Sequence, residues 1–377
     1  MSLKPHEGYQ VPDETARVAH IIFPKGNLVM RLRDEFGDLF NDHDFAELYP
    51  VRGQPGQAPA LLAIVTLLQF VESLTDRQAA DAVRTRIDWK YALGLSLEDT
   101  GFHHTVLSEF HTRLLDHGAE QQLFEAIVEL AKAKGLIKAG GRQRSDSTHI
   151  LGAMRAMTRL EAVTETLHHA LNELARSYPE WLRTQVNSDW LARYGSRTSD
   201  FRLPKSQAKR TLWAAQVGLD GTELLTLVYA ANTAEIQALD ALETLRQVWV
   251  QNFAFHEGQI TWRKPEDMPP AGRYLGSPYD PEARYQIKRT TSWSGYKVHL
   301  TESCDDDAPN LITNVETRNA AISDDAVTAA IHASLDKQNL LPNTHIADTG
   351  YVNSELLVDS RETFGIDLVG PTRAGNS

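Results

Sequence analysis

The 377-residue sequence predicts two parts, an all-α N-terminal region and a mixed α/β domain split by a long helical segment. Three observations predict this. Residues 57–135 hold apolar side chains at helical spacing. From Ser292 onward, short period-two runs alternate with short helical ones. Between a first strand-like run ending at Leu151 and the next, the chain returns to helical periodicity.

Composition sets the frame. Length gives a prior of two or three domains. Hydrophobic residues make up 42% and charged residues 23%, so the chain can bury a sizeable core and is not broadly disordered. The longest apolar run, "PALLAIVTLLQFV" from Pro59, is too short to span a bilayer and reads as a buried helix. The first twenty residues lack a signal-peptide core. One cysteine, Cys304, excludes an internal disulfide framework and a thiolate zinc cluster. A cytosolic protein fits best. The net charge of −12 argues against a protein that coats nucleic acid by bulk charge. Local patches remain. Arg273, Arg284, Lys288, Arg289 and Lys297 face only Asp280 and Glu282 in their stretch, and Lys205, Lys209 and Arg210 form a second cluster. Each alone reads as a solvated face.

The elements follow in order. Residues 1–25 read as a loosely ordered arm. Leu61, Leu62, Val65, Leu68 and Phe70 give a buried helix. "SLTDRQAADAV" offers Thr75 as N-cap with Gln78 three residues on, a capping-box pattern. "WKYALGL" stops at Gly94. A helix from Thr105 exposes Ser108, His111, Thr112 and Arg113. Short helices with tight turns are compatible with a helix-turn-helix whose second helix enters a major groove, and equally with an ordinary α bundle. Residues 136–151 have strand character. Leu160, Val163, Leu167, Leu171 and Leu174 restore helical spacing, and Trp181, Trp190 and Trp213 read as packing residues. Another helix starts near Glu235, and "RKPEDMPPAGRYLGSPYDP" reads as a linker. "SWSGYKVHLTES" is a half-buried strand, with Tyr296, Val298 and Leu300 on one side and Lys297, His299 and Thr301 on the other. "CDDDAPN" is a solvated hairpin turn and "LITNVET" a strand. "DDAVTAAIHASLDKQN" is a helix, "THIADTGY" a strand, "NSELLVDSRETFG" a short helix and "IDLVGPT" a strand.

Two carboxylates occupy unusual places. Asp146 sits inside the strand "GRQRSDSTHI", where aspartate is disfavoured and costly to bury unpaired. Asp348 closes another strand, before Gly350 and Tyr351. Strand ends of open α/β sheets are where ligands bind. Were the two strands adjacent, the carboxylates would repel. A divalent cation removes the repulsion, and Mg²⁺ prefers a few carboxylates plus waters and phosphate oxygens. Two such ions about 3.5–4 Å apart can serve an in-line phosphoryl displacement. Thr148 shares the face of Asp146. Alone, Asp146 reads as a turn cap and Asp348 as a plain strand-end residue.

"GRQRSDSTHI", "WSGYKVHLTE", "LITNVET" and "IADTGY", in that order, resemble the insertion-sequence transposases of the DDE type, specifically the group named after insertion sequence 1182, within the wider superfamily of insertion sequences 4 and 5. "LLAIVTLLQFVESLTDRQAADAVRTRIDWKYALGL" resembles the helical N-terminal domain of that group. The resemblance runs from about Phe36 to the end. It implies an α/β RNase H-like catalytic domain over 136–377 with a helical insertion at about 155–285, preceded by an all-α DNA-binding domain over 26–135. It further implies three metal-binding acids. Asp146 matches the first and Asp348 the second, as catalytic residues and ligands of Mg²⁺ or Mn²⁺. The implied activity is cleavage of DNA at the element's terminal repeats and strand transfer into target DNA, by a homodimer in the bacterial cytoplasm at the nucleoid. Lys297 and the stretch Arg284, Lys288 and Arg289 are our own candidates for phosphate contacts, with Arg113 in the helical region.

The sequence departs from the group in one respect. The third acid, a glutamate on a helix well past the second aspartate, has no counterpart. Ser377 comes 29 residues after Asp348, and only Glu355 and Glu362 follow it, both in the short helix after the fourth strand. The expectation is a truncated chain. Three readings stand: a DDE transposase, a non-catalytic DNA-binding remnant or regulator, and a metal-dependent nuclease or phosphatase on a similar sheet.

Overall fold

The computed structural model describes residues 2–371 except 6–7, 38, 153–156, 187, 197–202, 231–233, 257 and 289. The chain divides into two compact units, Met1–Lys138 and Ala139–Ser377.

The first unit is helical: α1 (Asp13–Ile22), α2 (Leu28–Phe36), α3 (Pro59–Val71), α4 (Asp76–Thr85), α5 (Ile87–Ala92), α6 (His104–Asp116) and α7 (Glu120–Ala133). A 3-10 segment, Asp42–Leu48, precedes α3. α3 is central, burying Leu61, Leu62, Val65 and Leu68 against Phe45, Val83, Trp89 and Phe110. Phe70, expected in that core, is 76% exposed because it falls on the opposite face of α3. The Thr75–Gln78 capping box forms at the start of α4. Gly94 takes φ +64° just beyond α5, the left-handed conformation of a helix stop. The expected N-terminal arm is instead partly helical. Ala16, Ala19 and Phe23, at helical spacing, pack with Met30 and Tyr91, and the Thr15 hydroxyl donates to the Leu95 carbonyl at 2.9 Å.

The second unit begins with β1 (Arg142–Leu151). It continues through α8 (Arg159–Ser177), α9 (Pro179–Gln185), α10 (Ser188–Tyr194), α11 (Gln207–Ala230), α12 (Ala234–Gln237) and α13 (Asp240–Asn252). These helices close around Val163, Leu167, Trp190, Leu224, Leu245 and Trp249. Trp181 and Trp213 pack against that cluster, as their apolar bulk leads one to expect. An unforeseen hairpin follows, β2 (Phe253–His256) with β3 (Gln259–Trp262). The Pro- and Gly-rich stretch after it is no free linker. Leu275 is buried in the helical core and the Tyr279 hydroxyl donates to the Glu165 carboxylate at 2.6 Å.

The main sheet adds β4 (Arg284–Lys288), β5 (Thr291–Ser303), β6 (Ile312–Asn319), β7 (Thr344–Ala347) and β8 (Asp367–Val369). β1 lies between β5, antiparallel to it, and β7, parallel to it, with β8 parallel beyond β7. β4 and β6 pair with the first and last parts of β5. α14 (Asp325–Lys337) and α15 (Ser354–Phe364) supply the crossovers. On β5 the fully covered row is the polar one. Lys297, His299 and Thr301 are all buried, whereas of the apolar row only Val298 is buried and Tyr296 and Leu300 stay partly accessible. Hydrogen bonds make this burial tolerable. Ser145 bonds both Thr301 Oγ1 at 2.6 Å and His345 Nε2 at 2.8 Å, and His345 Nδ1 meets His332 Nε2 at 2.7 Å.

Candidate functional site

The parallel register pairs Ser145 with Ala347. Asp146 and Asp348 each come one residue later, so they stand side by side where β1 runs on past β7. Adjacent strands lie about 4.8 Å apart. Both aspartates are exposed and line one cavity of about 500 Å³. Asp146 Oδ1 accepts from the Ser147 amide at 2.7 Å, and Asp348 Oδ1 from the Gly350 amide at 2.8 Å. Each carboxylate therefore keeps oxygen lone pairs free toward the cavity. Ser147, Thr148, His149, Lys288, Thr290, Thr291, Trp293 and Lys297 complete the lining. The His149 and Trp293 rings lie 5.2 Å apart within it.

A polar scaffold holds the two strand ends. Tyr351, three residues past Asp348, is fully buried. Its hydroxyl bonds His299 Nδ1 at 2.6 Å and interacts with the Ser147 side chain. Burial pushes the Tyr351 phenol above its ordinary pKa. The Ser147 hydroxyl opposes this, and the carboxylates of Asp324, Asp146 and Asp348 reinforce it. Burial likewise lowers the His299 imidazole, keeping it neutral. Asp324, just before α14, binds Lys297 Nζ at 2.7 Å. A Cβ on Gly350 would meet Asp324 Oδ2 at 2.9 Å and Asp348 Oδ1 at 3.0 Å, so only glycine lets both carboxylates crowd this turn.

Asp146 and Asp348, the two predicted acids, come together. The basic candidates scatter. Lys288 is exposed on the cavity wall. Lys297 also lines it, but the residue is 8% exposed and its ammonium is taken by Asp324, so it serves the fold and is not a free phosphate contact. Arg284 turns to the Pro281 and Ala283 carbonyls. Arg113 is not an exposed helix position. It donates to the Leu48 carbonyl at 3.1 Å and stacks over Tyr49, and neighbouring His111 bonds Thr66 at 3.0 Å. Arg289 lies outside the described residues. Glu355 and Glu362 are exposed on α15. Sequence reasoning missed His299, Asp324 and Tyr351. Two of these sit in the quoted runs "GYKVHLTE" and "ADTGY", where their polarity at strand and turn positions was the available signal.

The donor set fits a hard divalent cation. Two accessible carboxylates, hydroxyls and room for water are what Mg²⁺ takes. Among the described residues, no three His, Cys, Asp or Glu side chains gather as a metal-holding group.

Among the described residues no single helix is long and apolar enough to cross a membrane. No curated protein and no solved structure matches the chain. Residues 17–113, within the helical unit, match the family model described as Transposase domain (DUF772), a match that supports a transposase family for this chain.

Proposed function

We propose that this protein is a DDE-type transposase, of the group named after insertion sequence 1182, that binds DNA through its helical unit and cleaves it at Asp146 and Asp348. The observation that carries the proposal is the side-by-side placement of these aspartates, Asp146 within β1 and Asp348 just past the carboxyl end of β7. The sheet supports an RNase H-like reading. β6, β5 and β1 run antiparallel, β7 and β8 lie parallel to β1, and the helical insertion separates β1 from β5.

Asp146 and Asp348 would hold Mg²⁺ or Mn²⁺. When bound, such an ion supplies Lewis-acid stabilisation of phosphate charge. The protein's own groups do the rest. Lys288 offers an accessible ammonium for a backbone phosphate. Thr290 and Thr291 add hydroxyl donors, and the His149–Trp293 pair gives the wall an aromatic face for a sugar or base. On the helical unit, Arg77, Ser108 and Thr112 present exposed polar groups on α4 and α6, within the matched transposase domain.

The test uses plasmid DNA carrying the sequences that flank this protein's own gene. With Mg²⁺, the native chain nicks the DNA, while Asp146→Asn and Asp348→Asn bind it with unchanged salt dependence and leave it intact. Cleavage that survives both substitutions refutes the proposal. A second reading, DNA binding without cleavage, is favoured by the absence of a third acid beside the two among the described residues. It predicts binding by all three proteins and nicking by none.

A further inference from the structure

We infer that the Tyr351 hydroxyl is a positioning group that sets the separation of the two carboxylates, and so selects which divalent cation the cavity accepts; this rests on the metal site proposed above. Asp146 and Asp348 lie on different strands, and β1 and β7 stop exchanging ladder bonds at Ser145 and Ala347. The two acids therefore stand just past the last residues that β1 and β7 pair; β5 still holds Asp146 opposite Leu300, but no ladder pairing joins Asp146 to Asp348.

Tyr351 closes that gap. Its amide donates to the Asp348 carbonyl at 3.1 Å, making a tight turn out of Asp348. Its carbonyl accepts from Thr328 Oγ1 on α14 at 3.0 Å, which anchors the turn to the layer beneath the sheet. Its phenol bonds His299, directly opposite Ser147 on β5, and interacts with the side chain of Ser147, the residue after Asp146. One side chain thus ties the turn of Asp348 to the strand of Asp146 and to the next strand. His299 is 0% exposed and cannot move without repacking the sheet, so the tie is stiff. Neither Tyr351 nor His299 lines the cavity, so neither is a ligand. Removing the hydroxyl deletes the His299 bond and the Ser147 interaction and leaves the ring's packing in place.

Groups that orient metal ligands commonly change affinity about 10–100-fold when removed. Mg²⁺ demands near-ideal octahedral geometry, whereas Ca²⁺ accepts looser and larger sites. Loss of the tie should therefore penalise Mg²⁺ selectively, an outcome that general destabilisation does not produce.

The experiment is calorimetric titration of the full chain with Mg²⁺ and with Ca²⁺, for the native protein, Tyr351→Phe, Ser147→Ala and Asp146→Asn. Native protein should bind both ions and Asp146→Asn neither. Tyr351→Phe should lose about 10–100-fold in Mg²⁺ affinity and about threefold or less in Ca²⁺ affinity. Ser147→Ala, a smaller change that covers the case of a misfolded Tyr351→Phe, should move in the same direction. If both variants bind Mg²⁺ as native does while Asp146→Asn does not, the positioning role is overturned and the metal site stands. Equal weakening for the two ions also overturns it. A native chain that binds neither ion overturns the inference together with the site it rests on.

Discussion

Replacing Lys297 by methionine tests whether its ammonium belongs to the fold or to a ligand. The Lys297 side chain is 10% exposed and that of Asp324 15%, with 2.7 Å between Nζ and Oδ1. Methionine fills most of the volume but leaves the Asp324 carboxylate nearly buried without its counter-charge. Breaking one partner of a buried ion pair costs about 3–5 kcal/mol. The residual solvent contact of both groups puts the value at the low end, about 3 kcal/mol. For a unit of this size each kcal/mol moves the Tm by about 2–4 °C, so the expected drop is roughly 6–12 °C. The assay is thermal unfolding followed by the sheet band in infrared, which isolates the unit holding β5. Lys297→Met with Asp324→Leu should recover at least half of the loss, because an apolar pair of similar volume is often tolerated in place of a buried ion pair. A single variant within about 2 °C of native would refute the reasoning, as would a double variant no better than the single. A stable Lys297→Met that had lost DNA affinity would show that the ammonium is a ligand contact after all.

Two further outcomes follow from the sheet. Gly295→Ala should abolish soluble folding of the second unit: its φ is +151°, and a Cβ there would lie 2.2 Å from the Ile150 carbonyl oxygen and 2.4 Å from the Gly152 amide; a soluble variant within 1 kcal/mol of native by urea titration, about the typical cost of a point substitution, would contradict this. Acid should destabilise the protein through the His332–His345 pair, because burial lowers the first to about 4 and the second, aided by His332, to about 3. The unfolded histidines, with pKa about 6.5, take up protons that the folded ones refuse, so their contribution is whole above pH 6.5 and is lost as pH falls toward 4. Urea midpoints measured from pH 7 to pH 4 should fall less steeply in His332→Leu than in native protein, and identical slopes would assign acid sensitivity elsewhere.

Much of the secondary structure was legible because it is local. The capping box at Thr75, the stop at Gly94 and the apolar spacing of α3 and α8 depend on neighbours three or four residues away, which a sequence displays. So do the strand and helix runs after Ser292. The N-terminal helix escaped notice because only a few small apolar residues mark its buried side. β4 escaped because its residues are mostly polar and it pairs only through a hairpin.

The sequence by itself determined that Asp146 and Asp348 sit in or at strands, because the residue pattern around each is local. Only the tertiary structure decided that the strands are neighbours, that their register brings the acids level, and that Tyr351 ties them. It also decided the burial of β5, whose polar row is the more completely covered. A period-two pattern says that the two faces differ, but which face is covered depends on α14 lying against it and on polar partners distant in sequence. His299 finds Tyr351, 52 residues on, and Ser145 finds His345, 200 residues on. The physical reason is general. Hydrogen bonds between distant residues can make a polar face as buriable as an apolar one, and no local pattern records where those partners will be.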